Sequence, residues 1–364
     1  MIWMIIGLGL GYVLIIFRFL WSWQRIEIPQ EKAPITQISV IIPVRNEQEY
    51  IKKTLESILV NNYPISLLEI IVVDDHSSDL TKDRVLEVES NTVKYLSLPD
   101  EQFGKKAAIT HGVGIANGEY IICTDGDTVV SDGWLHSHEN AFQLGHKMAF
   151  GSVKYQGEGC VVDLLSLELS SLIGIGAAML NLGHASMING CNYSFSKKAF
   201  EKVNGFQGNE NFATGDDEFL LKKIKNKFPS EVIFLKSKKA MVMTTPVSNM
   251  NEFYQQRKRW ASKWKHHKGL VSKVLPLFIF LFYSIFYLGL INIFSKDSMV
   301  ATIVLFLKIT ADFVFIKSVR SFYHLQTAIL PFLVLQIIYP FYAVFFGVAS
   351  NFGKYGWKER YHQT

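Results

Sequence analysis

The sequence predicts an α/β domain with a largely parallel sheet, placed between apolar segments that cross a membrane. Two observations support this prediction. The 364 residues are 49% hydrophobic and only 19% charged, and the apolar excess lies towards the two ends of the chain. The middle, residues 35–245, instead alternates short β-branched runs with helical patterns, which is typical of α/β domains.

The first element is an N-terminal anchor. Residues 1–17 carry no charge, and the apolar stretch continues to residue 23, which gives about the 20 residues that span a bilayer. A cleaved signal peptide is the competing interpretation, but it needs a basic start and a small-residue cleavage site. Here Arg18 and Arg25 follow the apolar stretch instead, so we favour an uncleaved anchor over residues 1–23.

The middle domain begins with the apolar run ISVIIPV (38–44), a pattern expected of a strand that is covered on both faces. The predicted elements that follow are a helix over 47–60, a strand from 69 to Asp74 and Asp75, a helix over 80–89, a strand over 93–98, a helix over 104–117 and a strand over 119–125. This order predicts parallel strands with helices on both faces of the sheet.

Polar residues follow three of these strands, at the point where each strand ends. They occupy 43–47, 74–77 and 125–127. Ligands bind beyond the carboxyl ends of the strands in sheets of this kind. We therefore expect the three clusters to form one site.

Asp125 and Asp127 form the sharpest of these clusters. Two like charges at the end of a buried strand are costly unless a cation neutralises them. Carboxylate oxygens suit Mg²⁺ or Mn²⁺, which are typically held together with substrate phosphates, so a nucleotide diphosphate is the expected partner. Gly126 is expected to let the backbone approach that ligand. The alternative is a solvated Asp-Gly-Asp turn.

A second acidic cluster, Asp216, Asp217 and Glu218, precedes an apolar run. A carboxylate near an acceptor hydroxyl could act as a general base. The structural alternative is a helix N-terminus stabilised by acids through the helix dipole. Both can hold, because a helix start is also a good way to fix a base.

Residues 246–270 predict an amphipathic helix at the membrane interface. Phe253, Trp260 and Trp264 share one side of the helix, and basic residues that suit anionic headgroups cover the rest. The apolar stretch 161–180 predicts either a second interfacial helix or a core helix.

The C-terminal region, 275–352, predicts about three further spans, within which Lys308 and Asp312 can pair four residues apart. Three spans would place the tail, 353–364, outside, yet the tail is basic, which favours the inside. A last segment that is re-entrant, broken at Pro331 and Pro340, would reconcile the two.

Basic residues set the expected orientation, because Lys and Arg follow the first span and precede the second, which predicts a cytoplasmic middle domain. The net charge of +5 is therefore a membrane-face signal, and no nucleic acid is expected as a partner. Cys123, Cys160 and Cys191 lack the spacing of a disulfide framework or a zinc site and fit a reducing compartment.

Five segments in order resemble the membrane-integrated branch of glycosyltransferase family 2, whose members have a GT-A fold. They are VIIPVRNE, IVVDDHSSD, FGKKAAITHGVGIANGEYIICTDGD, GDDEFLL and QRKRW, spread over about residues 38–265. The branch includes cellulose, hyaluronan and poly-GlcNAc synthase-type enzymes and ceramide glucosyltransferase-type enzymes. The resemblance implies a Rossmann-like nucleotide-diphospho-sugar transferase domain with one N-terminal and about three C-terminal transmembrane helices.

The resemblance also implies roles for individual residues. The implied nucleotide-sugar-binding residues are Pro43, Arg45, Glu47, Asp74, Asp75, Lys105, Asp125, Gln256, Arg259 and Trp260. Asp125 and Asp127 would hold the metal on the diphosphate, and Asp217 would be the base. The acidic motif reads Asp-Asp where Glu-Asp is usual, which leaves the choice between Asp216 and Asp217 open, and Thr110 stands where Asn is common.

The implied function is transfer of a sugar from a nucleotide sugar, expected to be UDP-linked, with Mn²⁺ or Mg²⁺ and with inversion at the anomeric carbon. The span count favours a lipid or lipid-linked acceptor. The alternatives are a processive polysaccharide synthase and a nucleotide-sugar-binding scaffold without catalysis. The expected location is a bacterial inner membrane, with the catalytic domain in the cytoplasm.

Overall fold

The computed structural model describes residues 2–29, 32–209, 215–263, 274–275, 277–284, 296–357 and 360–363. The chain forms two compact units. The sheet unit comprises Ile26–Gly157 and Ala185–Pro246, and the helical unit comprises Met1–Arg25, Glu158–His184 and Val247–Thr364. The helical unit thus includes an insertion between two parts of the sheet unit, which the linear order of predicted domains does not contain.

The described helices and strands have the following bounds. The helices are α1 Ile2–Gln24, α2 Ile51–Leu59, α3 Thr81–Leu86, α4 Lys105–Ile115, α5 Trp134–Gln143, α6 Cys160–Asn181, α7 Lys197–Lys202, α8 Asp216–Lys227, α9 Met250–Ser262, α10 Lys296–Phe322 and α11 Ile329–Ala349. The strands are β1 Ile38–Val44, β2 Leu68–Asp74, β3 Val93–Ser97, β4 Tyr120–Cys123, β5 Thr128–Val130, β6 Met148–Gly151, β7 Val153–Tyr155, β8 Tyr193–Ser196, β9 Val232–Leu235, β10 Val242–Thr244, β11 Lys354–Trp357 and β12 Arg360–Gln363.

The main sheet of the sheet unit has the strand order β3-β2-β1-β4-β8-β6-β9. The first four strands run parallel, as the sequence predicts. β8 pairs antiparallel with both β4 and β6, so the sheet is mixed. β5, β10 and β7 form a second, three-stranded sheet.

The core of the main sheet lies on β1 and β2. Ile41, Ile42, Ile71 and Val72 have no exposed surface. α4 packs against both strands, and nearly every position of each strand is buried, which is why their β-branched runs show no polar alternation.

The strand order reverses between β1 and β4, because the chain first builds outward from β1 to β3 and then returns to the other side of β1. Such a reversal leaves a crevice beyond the carboxyl ends of the two strands. Pro43 lies at this point. The β1–β4 ladder ends at the pair Ile41 and Cys123, so the missing N–H of Pro43 leaves no gap in it.

Within the described part of the helical unit, four helices are long and apolar enough to cross a membrane: Trp3–Gln24, Cys160–Asn181, Met299–Phe322 and Ile329–Ala349. The predicted N-terminal span and two of the C-terminal spans are therefore present as helices. The predicted span at 275–294 lies partly outside the described residues. α6 adds a fourth helix of this length, at the stretch for which the sequence left two alternatives open.

A buried polar cluster joins three of these helices. Lys308 Nζ lies 3.1 Å from Asp312 Oδ2, which confirms the pair predicted on α10. Tyr12 of α1 donates a hydrogen bond of 2.9 Å to Asp312 Oδ1, and Lys308 donates one to Gln336 of α11. Each charge in this cluster has a partner, which reduces its cost in an apolar environment.

The basic tail forms a hairpin from β11 and β12, and β11 packs against α9. Pro340 lies inside α11, and Pro331 lies in its first turn. The described part of the tail therefore lies beside α9, and the side of the membrane that it faces stays a prediction.

Candidate active site

Lys105, the first residue of α4, joins two of the predicted acidic clusters. Its Nζ lies 2.6 Å from Asp125 Oδ1 and 3.5 Å from Asp216 Oδ2. It also donates a hydrogen bond of 2.9 Å to the carbonyl of Gly190. The turn after β4 and the start of α8 therefore meet at one ammonium group, although about 90 residues separate them in sequence.

Gly190 allows Lys105 and Asp217 to lie close to the backbone at this point. A β-carbon placed there would lie 3.1 Å from Lys105 Nζ and 3.2 Å from Asp217 Oδ2, which is tighter than ordinary contact. Asp217 is 3% exposed, and its other oxygen accepts a hydrogen bond of 2.8 Å from the amide of Glu218. Asp217 thus has one oxygen packed closely against Gly190 and the other held by the first turn of α8.

The pKa of Lys105 reports the charges around it. Burial alone would lower this pKa, yet Asp125, Asp216 and Asp217 together raise it above its ordinary value. The pKa of the Cys191 thiol is also shifted. Burial raises it well above the usual range, and the negative charges of Asp125, Asp127 and Asp217 raise it further. The four acids of the prediction therefore act on one small region.

Asp125 and Asp127 are both half-buried, whereas Asp216 and Asp217 are buried. Two accessible carboxylates on one turn provide the hard oxygen ligands that Mg²⁺ and Mn²⁺ prefer, and they fit the common arrangement in which phosphate and water oxygens complete the coordination. Among the described residues, no group of three or more His, Cys, Asp and Glu is arranged to hold a metal ion.

Gly126, between these two aspartates, has a packing role that differs from the expected one. A β-carbon there would lie 2.9 Å from Val44 and 3.0 Å from Glu47. Its carbonyl accepts a hydrogen bond of 2.8 Å from Thr54 Oγ1 of α2. The turn is thus pressed against the loop after β1, which brings the first and third polar clusters together.

The loop after β2 is held by Arg45, whose Nη1 donates to the carbonyls of Asp75 and His76 at 2.8 and 3.0 Å. Asp75 is 4% exposed, and its Oδ2 accepts a hydrogen bond of 2.9 Å from the amide of Gly104, just before α4. Arg45 and Asp75 therefore connect two of the predicted clusters, 43–47 and 74–77, and also join them to the loop before α4, which the convergence argument did not include.

Two of the predicted binding residues are tied to local structure. Asp74 Oδ1 accepts from the amide and hydroxyl of Ser77 at 3.0 and 2.6 Å, and its Oδ2 accepts from Tyr95 at 2.6 Å. Glu47 is 7% exposed, and its amide donates to Thr81 Oγ1. These contacts shape the loops of the site, and the predicted contacts of Asp74 and Glu47 with a nucleotide stay predictions.

The sequence prediction did not include His76 and Phe103. His76 has a positive φ of 60°, its Nδ1 lies 3.1 Å from Asp75 Oδ1, and its ring centroid lies 4.8 Å from that of Phe103. Phe103 is 58% exposed. The signal that could have identified this pair is the histidine that directly follows Asp74 and Asp75, at a turn position with positive φ.

The remaining predicted residues, Gln256, Arg259 and Trp260, lie on α9 in the helical unit. The α9 helix begins later than the predicted 246, after Asn249, whose side chain accepts a hydrogen bond from the amide of Glu252. The end of the predicted range, 264–270, lies outside the described residues. The basic residues were expected to face headgroups, but Arg257 and Lys258 are only 2% and 5% exposed. Trp264 lies outside the described residues.

Residues 39–203 match a family model described as Glycosyl transferase family 2. Over 181 residues, the chain is 29% identical to a poly-beta-1,6-N-acetyl-D-glucosamine synthase of Staphylococcus epidermidis, which covers 48% of this chain and 43% of that synthase. Over 100 residues, it is 38% identical to the glycosyltransferase AglE of Haloferax volcanii, which covers 27% of this chain and 33% of that protein. The chain thus matches less than half the length of these curated relatives.

Among solved structures, the chain is similar to a mannosyltransferase, PcManGT from Pyrobaculum calidifontis, in complex with GDP-Man and Mn²⁺. The TM-score is 0.56 at 17% identity, and the match covers 92% of this chain and 97% of that one. This similarity shows the fold alone, a GT-A fold.

Proposed function

Since the chain carries a glycosyl transferase family 2 domain at residues 39–203, we propose that it transfers a sugar from a nucleotide diphosphate sugar to a lipid or lipid-linked acceptor. We take the donor to be UDP-linked and the metal to be Mn²⁺ or Mg²⁺. The observation that carries the proposal is the meeting of Asp125, Asp216 and Asp217 around Lys105 and Gly190.

Asp217 is the proposed base. Asp216 faces the ammonium of Lys105 at 3.5 Å and is engaged in an ion pair with it. Asp217 lies in the first turn of α8, and its Oδ2 is next to Gly190. There it would take the proton of the acceptor hydroxyl while the acceptor oxygen bonds to the anomeric carbon and the bond to the diphosphate breaks. One such displacement inverts the anomeric centre.

Asp125 and Asp127 are the proposed metal ligands. When bound, the ion would stabilise the negative charge of the leaving diphosphate. The presence of Mn²⁺ in the Pyrobaculum mannosyltransferase complex supports a divalent ion. Arg45, Asp75 and Lys105 would form the nucleotide side of the site, with Pro43 and Glu47 in the same loop.

Lipid acceptors suit a chain with four helices of membrane length. A processive polysaccharide synthase is the second candidate, and the similarity to a poly-beta-1,6-N-acetyl-D-glucosamine synthase favours it. In either case we place the sheet unit in the cytoplasm of a bacterial inner membrane, because basic residues flank the apolar segments on that side.

The test uses membranes that contain the full chain, a panel of radiolabelled nucleotide sugars, and Mn²⁺ or Mg²⁺. Label that enters the organic phase on solvent extraction supports a lipid acceptor, and label in high-mass aqueous material supports a polymer. Turnover with none of the nucleotide sugars would favour the non-catalytic scaffold and overturn the proposal.

Two variants connect turnover to the site. Asp127→Asn removes a proposed metal ligand, and we expect product formation to fall by about 100-fold or more, the usual scale for losing electrostatic stabilisation of a transition state. Asp132→Asn, an exposed acid five residues further along, is the matched control and should keep its activity. Full activity of Asp127→Asn would contradict the metal assignment.

A further inference from the structure

Arg257 is a charged residue buried between the signature residues of α9. It is 2% exposed, although its neighbours in sequence predict a solvated basic face. Its Nη1 donates a hydrogen bond to Gln256 Oε1. Its guanidinium also lies over the ring of Trp260, 4.3 Å from the centroid, and over Phe253 at 4.8 Å. One side chain therefore contacts two of the three residues that the QxxRW signature singles out.

Glu168 of α6 is the counter-charge of this arginine. Its Oε2 lies 2.5 Å from Arg257 Nη2, and the carboxylate is almost fully buried. Its other oxygen accepts a hydrogen bond of 2.7 Å from Tyr342 of α11. Both carboxylate oxygens are thus used, and one acid connects α6, α9 and α11.

A charged Glu168 costs free energy in this apolar part of the sequence. It lies in the middle of a 22-residue helix that is apolar enough to span a membrane. Ionisable residues in such helices mark functional positions more often than not, because a purely structural position is satisfied at lower cost by an apolar side chain.

We propose that Glu168 is a positioning residue, which acts through Arg257 to hold Gln256 and Trp260 in the orientation that sugar transfer requires. This inference rests on the proposed function. Without the carboxylate, the guanidinium would lose its buried partner and move towards other acceptors, and it would carry with it the amide it donates to and the ring it covers.

Glu168→Gln is the first variant, because it keeps the size of the side chain and removes its charge. Transfer would be measured in membranes, with a labelled nucleotide sugar that the wild-type protein turns over. We expect kcat to fall by about 10- to 100-fold, since a misplacement of about 1 Å can have an effect of that size. The KM for the nucleotide sugar should rise as well, because Gln256 and Trp260 are among the residues implied to bind it.

Two further variants should give smaller losses of kcat than Glu168→Gln. Glu168→Asp keeps the charge on a shorter side chain and should restore part of the kcat lost in Glu168→Gln. Tyr342→Phe removes only one hydrogen bond to Glu168, and we expect a smaller loss of kcat, about two- to fivefold, which is the scale of one hydrogen bond. This milder variant keeps the inference testable if Glu168→Gln does not fold.

Asp312→Asn is the matched control, since it breaks another buried ion pair of the same unit that contacts no signature residue. A purely structural role for Glu168 predicts that Glu168→Gln and Asp312→Asn lose activity and melting temperature in the same proportion. That result, or a Glu168→Asp variant no better than Glu168→Gln, would overturn the inference alone. A wild-type protein that turns over no nucleotide sugar would instead overturn the proposed function, and this inference with it.

Discussion

His138 shows how a single residue of the sheet unit links protonation to folding. It is fully buried, its Nδ1 lies 2.7 Å from Ser194 Oγ, and its Nε2 lies 3.0 Å from Asn192 Oδ1. Asn192 Oδ1 can only accept, so Nε2 carries the proton of a neutral ring. Burial lowers the pKa of His138 from 6.5 to about 4, against a smaller opposing effect of the Asn192 hydrogen bond.

We predict that the sheet unit loses stability as the pH falls from 6.5 towards 4. In this window the unfolded chain binds a proton that the folded chain does not, so the free energy of unfolding decreases with falling pH. The full effect is about 3 kcal/mol, from about 1.4 kcal/mol per pKa unit. It would be measured as the melting temperature of the detergent-solubilised protein between pH 7.5 and 4.5.

His138→Gln keeps polar groups at the position and does not titrate. Its melting temperature should depend less on pH than that of the wild type, and the difference between the two curves isolates the histidine from the many acids that also titrate. Parallel curves for the two proteins would show that His138 does not contribute.

At the residue scale, the sequence predicts the acids of the site but not the uncharged or buried residues that position the groups around them. Asp125 and Asp127 can be placed at the site because they follow a strand end at one edge of the sheet, whereas Asp217 is placed there only by the resemblance to the family. Gly190 and Arg257 could not be found in this way. The role of Gly190 depends on the distant pairing of β8 with β4, and the burial of Arg257 depends on a counter-charge on α6.

At the scale of elements, the close approach of β1 and the start of β4 depends on Gly118. A β-carbon there would lie 2.5 Å from Ser39 Oγ, 2.6 Å from the backbone nitrogen of Ser39 and 2.7 Å from the carbonyl carbon of Ile38. The amide of Gly118 also donates to Ser39 Oγ at 2.9 Å. Backbone atoms of a central strand have little room to move away from an added methyl group.

We predict that Gly118→Ala destabilises the sheet unit by about 1–3 kcal/mol or more, the usual range for overpacking. Gly114→Ala is the matched control, because Gly114 is exposed on α4 and nothing lies within 4 Å of its added β-carbon. This second substitution should stabilise the protein by about 0.5–1 kcal/mol, since alanine favours helix. Melting temperatures that shift in the same direction for both variants would contradict the packing argument.

The parallel strands of the main sheet could be predicted because their apolar runs are continuous and their helices intervene regularly. β8 could not, since an antiparallel strand that arrives from about 70 residues after β4 leaves no local signal. The stretch that became α6 is apolar on most sides, and its composition does not distinguish a core helix, an interfacial helix and a span.

At the scale of the whole molecule, chain connectivity restricts what α6 can do in a membrane. β6 precedes α6 and β8 follows it, and these strands pair in register, with Met148 opposite Phe195. A helix of 22 residues is about 33 Å long and could cross the hydrocarbon layer. Residues 182–192 would then have to return through lipid without helix or strand, and unpaired backbone groups forbid that.

We therefore predict that α6 enters the membrane without crossing it, so that both of its ends face the same side. Cys160 at its start is exposed, while Cys123 and Cys191 are buried, so a membrane-impermeant maleimide has one accessible native thiol. His184→Cys in a Cys160→Ser background places a second exposed thiol after the helix. Both thiols should react in the same kind of vesicle, because the strands that flank α6 belong to one sheet. The proposed cytoplasmic placement of the sheet unit makes this the inside-out vesicle. Labelling of the two sites from opposite sides would show that α6 spans the bilayer and that residues 182–192 recross it.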